Sequence, residues 1–149
     1  MAISNNNEAM ANVARAFVTT DVILVSELAA AVRSNTAGAI VTFSGDVRDN
    51  DHGRDVSSLE YEAHPTAQNL LEKVASEIAA RHEVLSVAVA HRHGPIPIGE
   101  SALVAAVAAK HRKAAFEACA ELVDEVKAQI PIWKHQVFAD GTDEWVNCA

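Results

Sequence analysis

Five cationic side chains in a chain that is acidic overall are the residues best equipped for chemistry: Arg48, His111, Arg112, Lys127 and Lys134. Lys127 is the most informative. On a helix of about 3.6 residues per turn, Phe116, Ala120, Val123 and Lys127 share one face. The other three are apolar, so the lysine is expected on the stripe that meets the core. In a partly dry pocket, desolvation disfavours the charged amine, which can then act as base or nucleophile. A lysine in a last helical turn can equally complement the helix dipole and reach out to solvent.

Lys134 follows in PIWKHQ, just past Pro131. On a strand it shares a face with Ile132 and Gln136, opposite Trp133 and Val137. Pro131 forces a turn between helix and strand that could bring both ammonium groups together. Two such groups repel unless something negative lies between them. His111-Arg112 opens the same helix, where positive charge opposes the macrodipole. A bound anion would relieve that conflict through free N–H groups and the guanidinium. Arg48, in FSGDVR, follows a buried strand and is placed to grip a phosphate or carboxylate bidentately. Each of these residues alone also has an ordinary reading as a solvated surface charge. Jointly they would make a cationic pocket suited to a small phosphorylated ligand rather than a polymer.

Other candidates carry less. His91 and His93 would share a strand face, but no acidic or cysteine partner follows that would complete a metal site. Cys119 and Cys148 form no CxxC, which excludes zinc-ribbon and thioredoxin-type sites. They supply no disulfide framework, and a reducing cytoplasm fits best. Cys119 reads as a core filler. Trp133 and Trp145 read as packing or interface residues.

The elements that must position these side chains fit one domain. The chain has 149 residues, enough to bury a core without staples. Half of its residues are apolar, which argues against wholesale disorder. The longest apolar run, Ala102 to Ala109, is far short of a membrane span. The net charge of −8 disfavours a nucleic-acid partner. Residues 1–16 have no signal-peptide pattern and read as a mobile polar tail, leaving 17–149 as the domain.

Strands are expected at Ala16 to Leu24, Gly38 to Gly45, Ser58 to Ala63, Val84 to His91, Ala102 to Ala109, Pro131 to Phe138 and Glu144 to Cys148. Helices are expected from Ser26 to Arg33, from Pro65 through Arg81, and from Arg112 to Gln129. Asp46 to Asp55 reads as an exposed loop or hairpin tip. The class is α+β, with helices packed on a mainly antiparallel sheet.

The segments FSGDVR, LEYEAHPTA, HRHGPIPIGE, HRKAAFEACAELVDEVKAQIPIWKHQ and DGTDEWV follow one another in that order. Together they resemble the large, catalytic (MoaE-like) subunit of molybdopterin synthase, and the last two resemble its actinobacterial members. The similarity runs from about Gly38 to Val146. It implies an α/β-hammerhead fold and a homodimer at the centre of a heterotetramer. The implied partner is a small ubiquitin-like (MoaD-like) subunit whose C-terminus carries a thiocarboxylate. The implied substrate is cyclic pyranopterin monophosphate (precursor Z), converted into the dithiolene of molybdopterin. No metal or redox cofactor is implied, since the sulfur arrives activated.

By the same resemblance, Lys127 is the lysine close to the partner's C-terminus and essential for transfer, and Lys134 is the second pocket lysine. Arg48, His111 and Arg112 would bind substrate in a pocket shared across the dimer. Asp46, Val47, His135 and Gln136 occupy further pterin-contact positions. Asp46 stands where some members have a basic residue, and His135-Gln136 replaces a commoner basic-acidic pair. The competing reading is a non-catalytic dimeric module that binds a phosphorylated metabolite or a partner tail. A Schiff-base lysine enzyme ranks behind both, because no carbonyl-compound pocket motif is visible.

Overall fold

The computed structural model describes residues 12–147. In chain order the elements are β1 (Val13–Thr19), α1 (Val25–Val32), β2 (Ala39–Asp46), β3 (Asn50–Asp51), β4 (Arg54–Ala63) and α2 (Ala67–Arg81). Then follow β5 (Ser86–Arg92), β6 (Gly94–Pro95), β7 (Ser101–Ala109), α3 (Arg112–Gln129), β8 (Ile132–Phe138) and β9 (Asp143–Asn147). This is the expected α+β class in its α/β-hammerhead form.

The first sheet has the order β1-β5-β7-β2. β1 runs parallel to β5, and the other pairs are antiparallel. β5 and β7 are buried on both faces, which explains why VAVAH and ALVAAVAA carry no polar alternation. The alternation is one of size instead. Val87, Val89, Leu103, Ala105 and Val107 face α2 and α3. Ala88, Ala90, Val104, Ala106 and Ala108 face Leu28 and Val32 of α1. Small side chains on the second face let a short helix approach closely.

The second sheet has the order β3-β4-β8-β9, with β6 added to β4. Val47, Leu59, Ile96 and Ala102 form a small core beneath it. The two sheets are joined where β2 runs into the β3–β4 hairpin. The hairpin tip, His52-Gly53, has both residues at positive φ, 51° and 82°. That geometry suits a tight hairpin turn and favours glycine at the second position.

Several expectations are corrected. β1 starts at Val13 and ends at Thr19, so the end of the supposed tail belongs to the sheet. Pairing of Val13 with Val87 and Ala16 with Val89 outweighs the polar composition. Residues 1–11 of that tail, and Cys148, lie outside the described residues. β4 starts at Arg54 rather than Ser58, because the hairpin with β3 extends it. Pro65 lies in a turn ahead of α2, where the Ala67 amide donates to the His64 carbonyl at 2.9 Å. No helix among the described residues is long and apolar enough to cross a membrane.

The largest correction concerns α3. Its core-facing stripe is Ala115, Ala118, Cys119, Leu122, Val123 and Val126. Phe116 is 60% exposed, and Ala120 and Lys127 are exposed as well. The helix carries two apolar stripes that meet at Val123, and the alanine-rich one fits against the sheet. Lys127 therefore projects from the flank of the helix rather than into the core.

Candidate functional site

α3 ends where Pro131 disfavours helical geometry in its predecessor. Ile130 is extended (φ −77°, ψ 126°), and its amide still donates to the Val126 carbonyl. The chain then returns as β8, where Lys134 pairs with Tyr61 of β4. The reversal brings Lys127 and Lys134 to one cavity of about 180 Å³. Arg48, Asp46, Tyr61 and His91 complete its polar lining. A smaller hollow of about 60 Å³ shares the Asp46–Arg48–Tyr61–Lys134 wall and adds Val47, Asp51 and Gln136. Three cationic side chains against one carboxylate give the larger cavity a lining that is positive overall.

The β2 end holds its residues by separate means. A register shift at Gly45/Asp46 re-aims the strand. The hydroxyls of Ser44 and Ser101 donate to Asp46, and these bonds hold its carboxyl below the usual range. Val47 is buried, and its backbone is tied at both ends: its amide donates to Glu100 at 3.0 Å, and its carbonyl accepts from Gly99 at 2.8 Å. Arg48, just beyond, is 77% exposed and reaches Asp51 at 3.7 Å. A contact so open is weak and easily exchanged for a bound anion.

Gln136 is 2% exposed, and its amide nitrogen donates to Asp51 and Glu144, each at 2.7 Å. The bond from Gln136 is the main cause that lowers the Asp51 carboxyl. This side chain is a tie between strands and the hairpin, engaged on both sides. His135 lies on the opposite face of β8 from Lys134, outside both hollows. Its ring bonds Asp143 at 2.8 Å and Glu60 at 3.3 Å and stacks on Trp145 at 4.4 Å. Those two carboxylates raise its pKa, with the hydrogen bond to Asp143 foremost. The structure thus gathers Arg48, Lys127, Lys134, Asp46, Val47 and Gln136, and leaves His135 apart.

His111 and Arg112 also stand apart within a single chain. His111 caps α3 without a side-chain hydrogen bond and lines a separate cavity of about 680 Å³ with Arg81, His82, Lys110 and Lys113. Arg112 is exposed at the first helical position.

Sequence reasoning passed over Tyr61, Asp51 and His91 as site residues. His91 continues the buried Val87–Val89 face of β5, and that periodicity was its signal. It is 2% exposed, and burial pushes its pKa down to about 4. Cys119 is the core filler expected, its thiol pushed up to about 11 by burial. Among the described residues no group of three His, Cys, Asp or Glu side chains is placed to hold a metal ion.

Comparison with known proteins agrees with this architecture. The family model described as MoaE protein matches residues 18–129. The chain is 47% identical over 111 residues to a protein of Oryza sativa subsp. indica named molybdopterin synthase catalytic subunit. That match covers 74% of this chain and 58% of the rice protein, so the chain spans little more than half of that relative's length. A protein of the same name from Pyrococcus abyssi is 41% identical over 123 residues, 82% of each chain. The crystal structure of molybdopterin synthase from Staphylococcus aureus superposes with a TM-score of 0.80 at 30% identity, covering 87% of this chain and 94% of that one. With the family model matched over most of its length and its fold shared with that structure, the chain belongs to the MoaE protein family.

Proposed function

We propose that this chain is the catalytic subunit of a molybdopterin synthase. It would transfer sulfur from a thiocarboxylated, ubiquitin-like carrier protein to cyclic pyranopterin monophosphate. The observation that carries the reading is the convergence of Arg48, Lys127 and Lys134 on one cavity from three distant parts of the chain.

The chemistry needs those charges. The thiocarboxylate and the phosphate are both anions, and each is drawn to a cationic cleft. The thiocarboxylate sulfur attacks a side-chain carbon of the pterin as that carbon's bond to the cyclic phosphate oxygen breaks, and the phosphate stays attached at its other ester oxygen. Water then attacks the acyl carbon. The C–S bond breaks, sulfur stays on the pterin and the carrier leaves as a carboxylate. An ammonium beside the growing oxyanion stabilises the transition state more than the ground state. Lys127 takes that role, and Lys134 supports it from β8. Arg48 grips the phosphate bidentately.

His111 and Arg112 join the site only from a second copy of the chain, so this reading requires a homodimer flanked by two carriers. A cytoplasmic location follows from the need to keep thiocarboxylate and thiols reduced.

The test is incubation of dimer, thiocarboxylated carrier and precursor, with the dithiolene product read as its oxidised fluorescent derivative. Lys127→Ala should fold normally and form no product. Full activity in that variant would remove Lys127 from the mechanism.

A further inference from the structure

The cavity contains a buried group that the sulfur-transfer step leaves unused. His91 forms part of its lining together with Lys127, Lys134, Arg48 and Asp46. The imidazole Nδ1 lies 2.8 Å from the Arg92 carbonyl oxygen. A carbonyl only accepts, so Nδ1 must carry the proton. The ring is uncharged at neutral pH, because burial opposes its ionisation and the charges of His93 and Lys127 oppose it further. A neutral ring with its proton on Nδ1 keeps the lone pair on Nε2. Tyr61 fixes the ring plane from β4, edge to face, with centroids 5.1 Å apart. The Arg92 side chain is turned to Glu100 at 2.7 Å and does not compete for the site.

We propose that His91 is a positioning residue for sulfur transfer: a neutral acceptor in the wall of the cavity that holds the Lys127 ammonium toward the reacting acyl group. The assignment rests on the proposed function above. Lys127 springs from the last turn of a helix on a long flexible stem. Fixing such a side chain in one place costs rotamer entropy, which an acceptor of fixed orientation offsets. A cationic partner there would repel the ammonium. A carboxylate would neutralise the charge needed for the oxyanion. An imidazole locked neutral does neither.

Two substitutions separate the roles of the two ring nitrogens. Asn reproduces the Nδ1–H donor to the Arg92 carbonyl but offers nothing at Nε2. Gln extends an amide to the Nε2 position. His91→Asn should lower kcat about tenfold or more, the scale of one hydrogen bond to a charged group, with KM for the pterin within about twofold. His91→Gln should recover most of the rate. A purely structural His91 would give the reverse order, with Asn tolerated.

A second measurement needs no turnover. In Lys127→Met, NMR titration of the His91 ring should show a higher midpoint than in the parent protein. Wild-type rates in both His91 variants, or an unmoved His91 midpoint in Lys127→Met, would overturn the proposal. Full activity in Lys127→Ala would instead overturn the function on which it rests.

Discussion

The Gln136 amide nitrogen lies 2.7 Å from the Asp51 carboxylate, joining β8 to the tip of the β3–β4 hairpin across 85 residues of sequence. The same nitrogen donates to Glu144 on β9. One buried amide therefore keeps two carboxylates apart and fixes the hairpin that carries Arg48's neighbour Asp51.

Gln136→Leu removes both bonds and leaves Asp51 facing Glu144. A loss of about 2 kcal/mol is expected, the scale of hydrogen bonds to charged groups. Urea denaturation at neutral pH measures it. The Asp51 carboxyl should also titrate nearer its ordinary value, since its main stabilising bond is gone. A stability change within error would show the tie to be idle.

His91 makes stability depend on pH with a definite sign. Its folded pKa, about 4, lies below the ordinary histidine value near 6.5. Above that value the ring is neutral in both states and contributes nothing. As pH falls from about 6.5 to about 4, the unfolded chain binds a proton that the folded one refuses, and stability declines. The decline amounts to roughly 3 kcal/mol. Urea midpoints recorded from pH 7 to pH 4 should fall less steeply in His91→Gln. Equal slopes for the two proteins would contradict this.

His135 behaves in the opposite way. Its pKa is raised by Asp143 and Glu60, so its contribution is present below the unfolded value and fades as pH climbs through the folded one. Stacked on Trp145 with ring planes 8° apart, the imidazolium should quench indole emission. Fluorescence should therefore rise with a midpoint above the ordinary histidine value. Asp143→Asn should move that midpoint down, and a midpoint unmoved by the substitution would count against the pairing.

Gly38 sits against the Lys110 backbone where β2 begins and β7 ends. A Cβ at this position would collide with the Lys110 carbonyl oxygen, an atom that cannot swing aside. Gly38→Ala should lower the melting temperature by several degrees, as about 1–2 kcal/mol does in a domain of this size. By contrast, nothing lies within 4 Å of a Cβ added at Gly99, and only its φ of 92° opposes alanine there. A Gly38→Ala protein as stable as its parent would show that the strand ends can separate freely.

The order of the three helices and the seven longer strands, the α+β class and the lysine pair around Pro131 were legible in the amino-acid sequence, whereas the two-residue strands β3 and β6 were not. They depend on local rules: size and polarity periodicity in β5, β7 and α2, and the proline that ends α3. Which stripe of α3 meets the sheet was not legible. Phe116, Ala120 and Val123 match helical spacing as well as Ala115, Cys119 and Leu122 do, and only the fit of small side chains against β2 and β7 selects between them. The faces of β8 were readable from alternation, which correctly set Lys134 and Gln136 together. That Gln136 would be saturated by Asp51 and Glu144, and His135 by Asp143 and Glu60, required partners distant in sequence. His111 and Arg112 show the same limit. Their residue types announce an affinity for anions, but whether they reach the lysines depends on how folded surfaces meet. Periodicity is a property of neighbours along a chain, whereas a cavity is made by strands and helices that become neighbours only on folding.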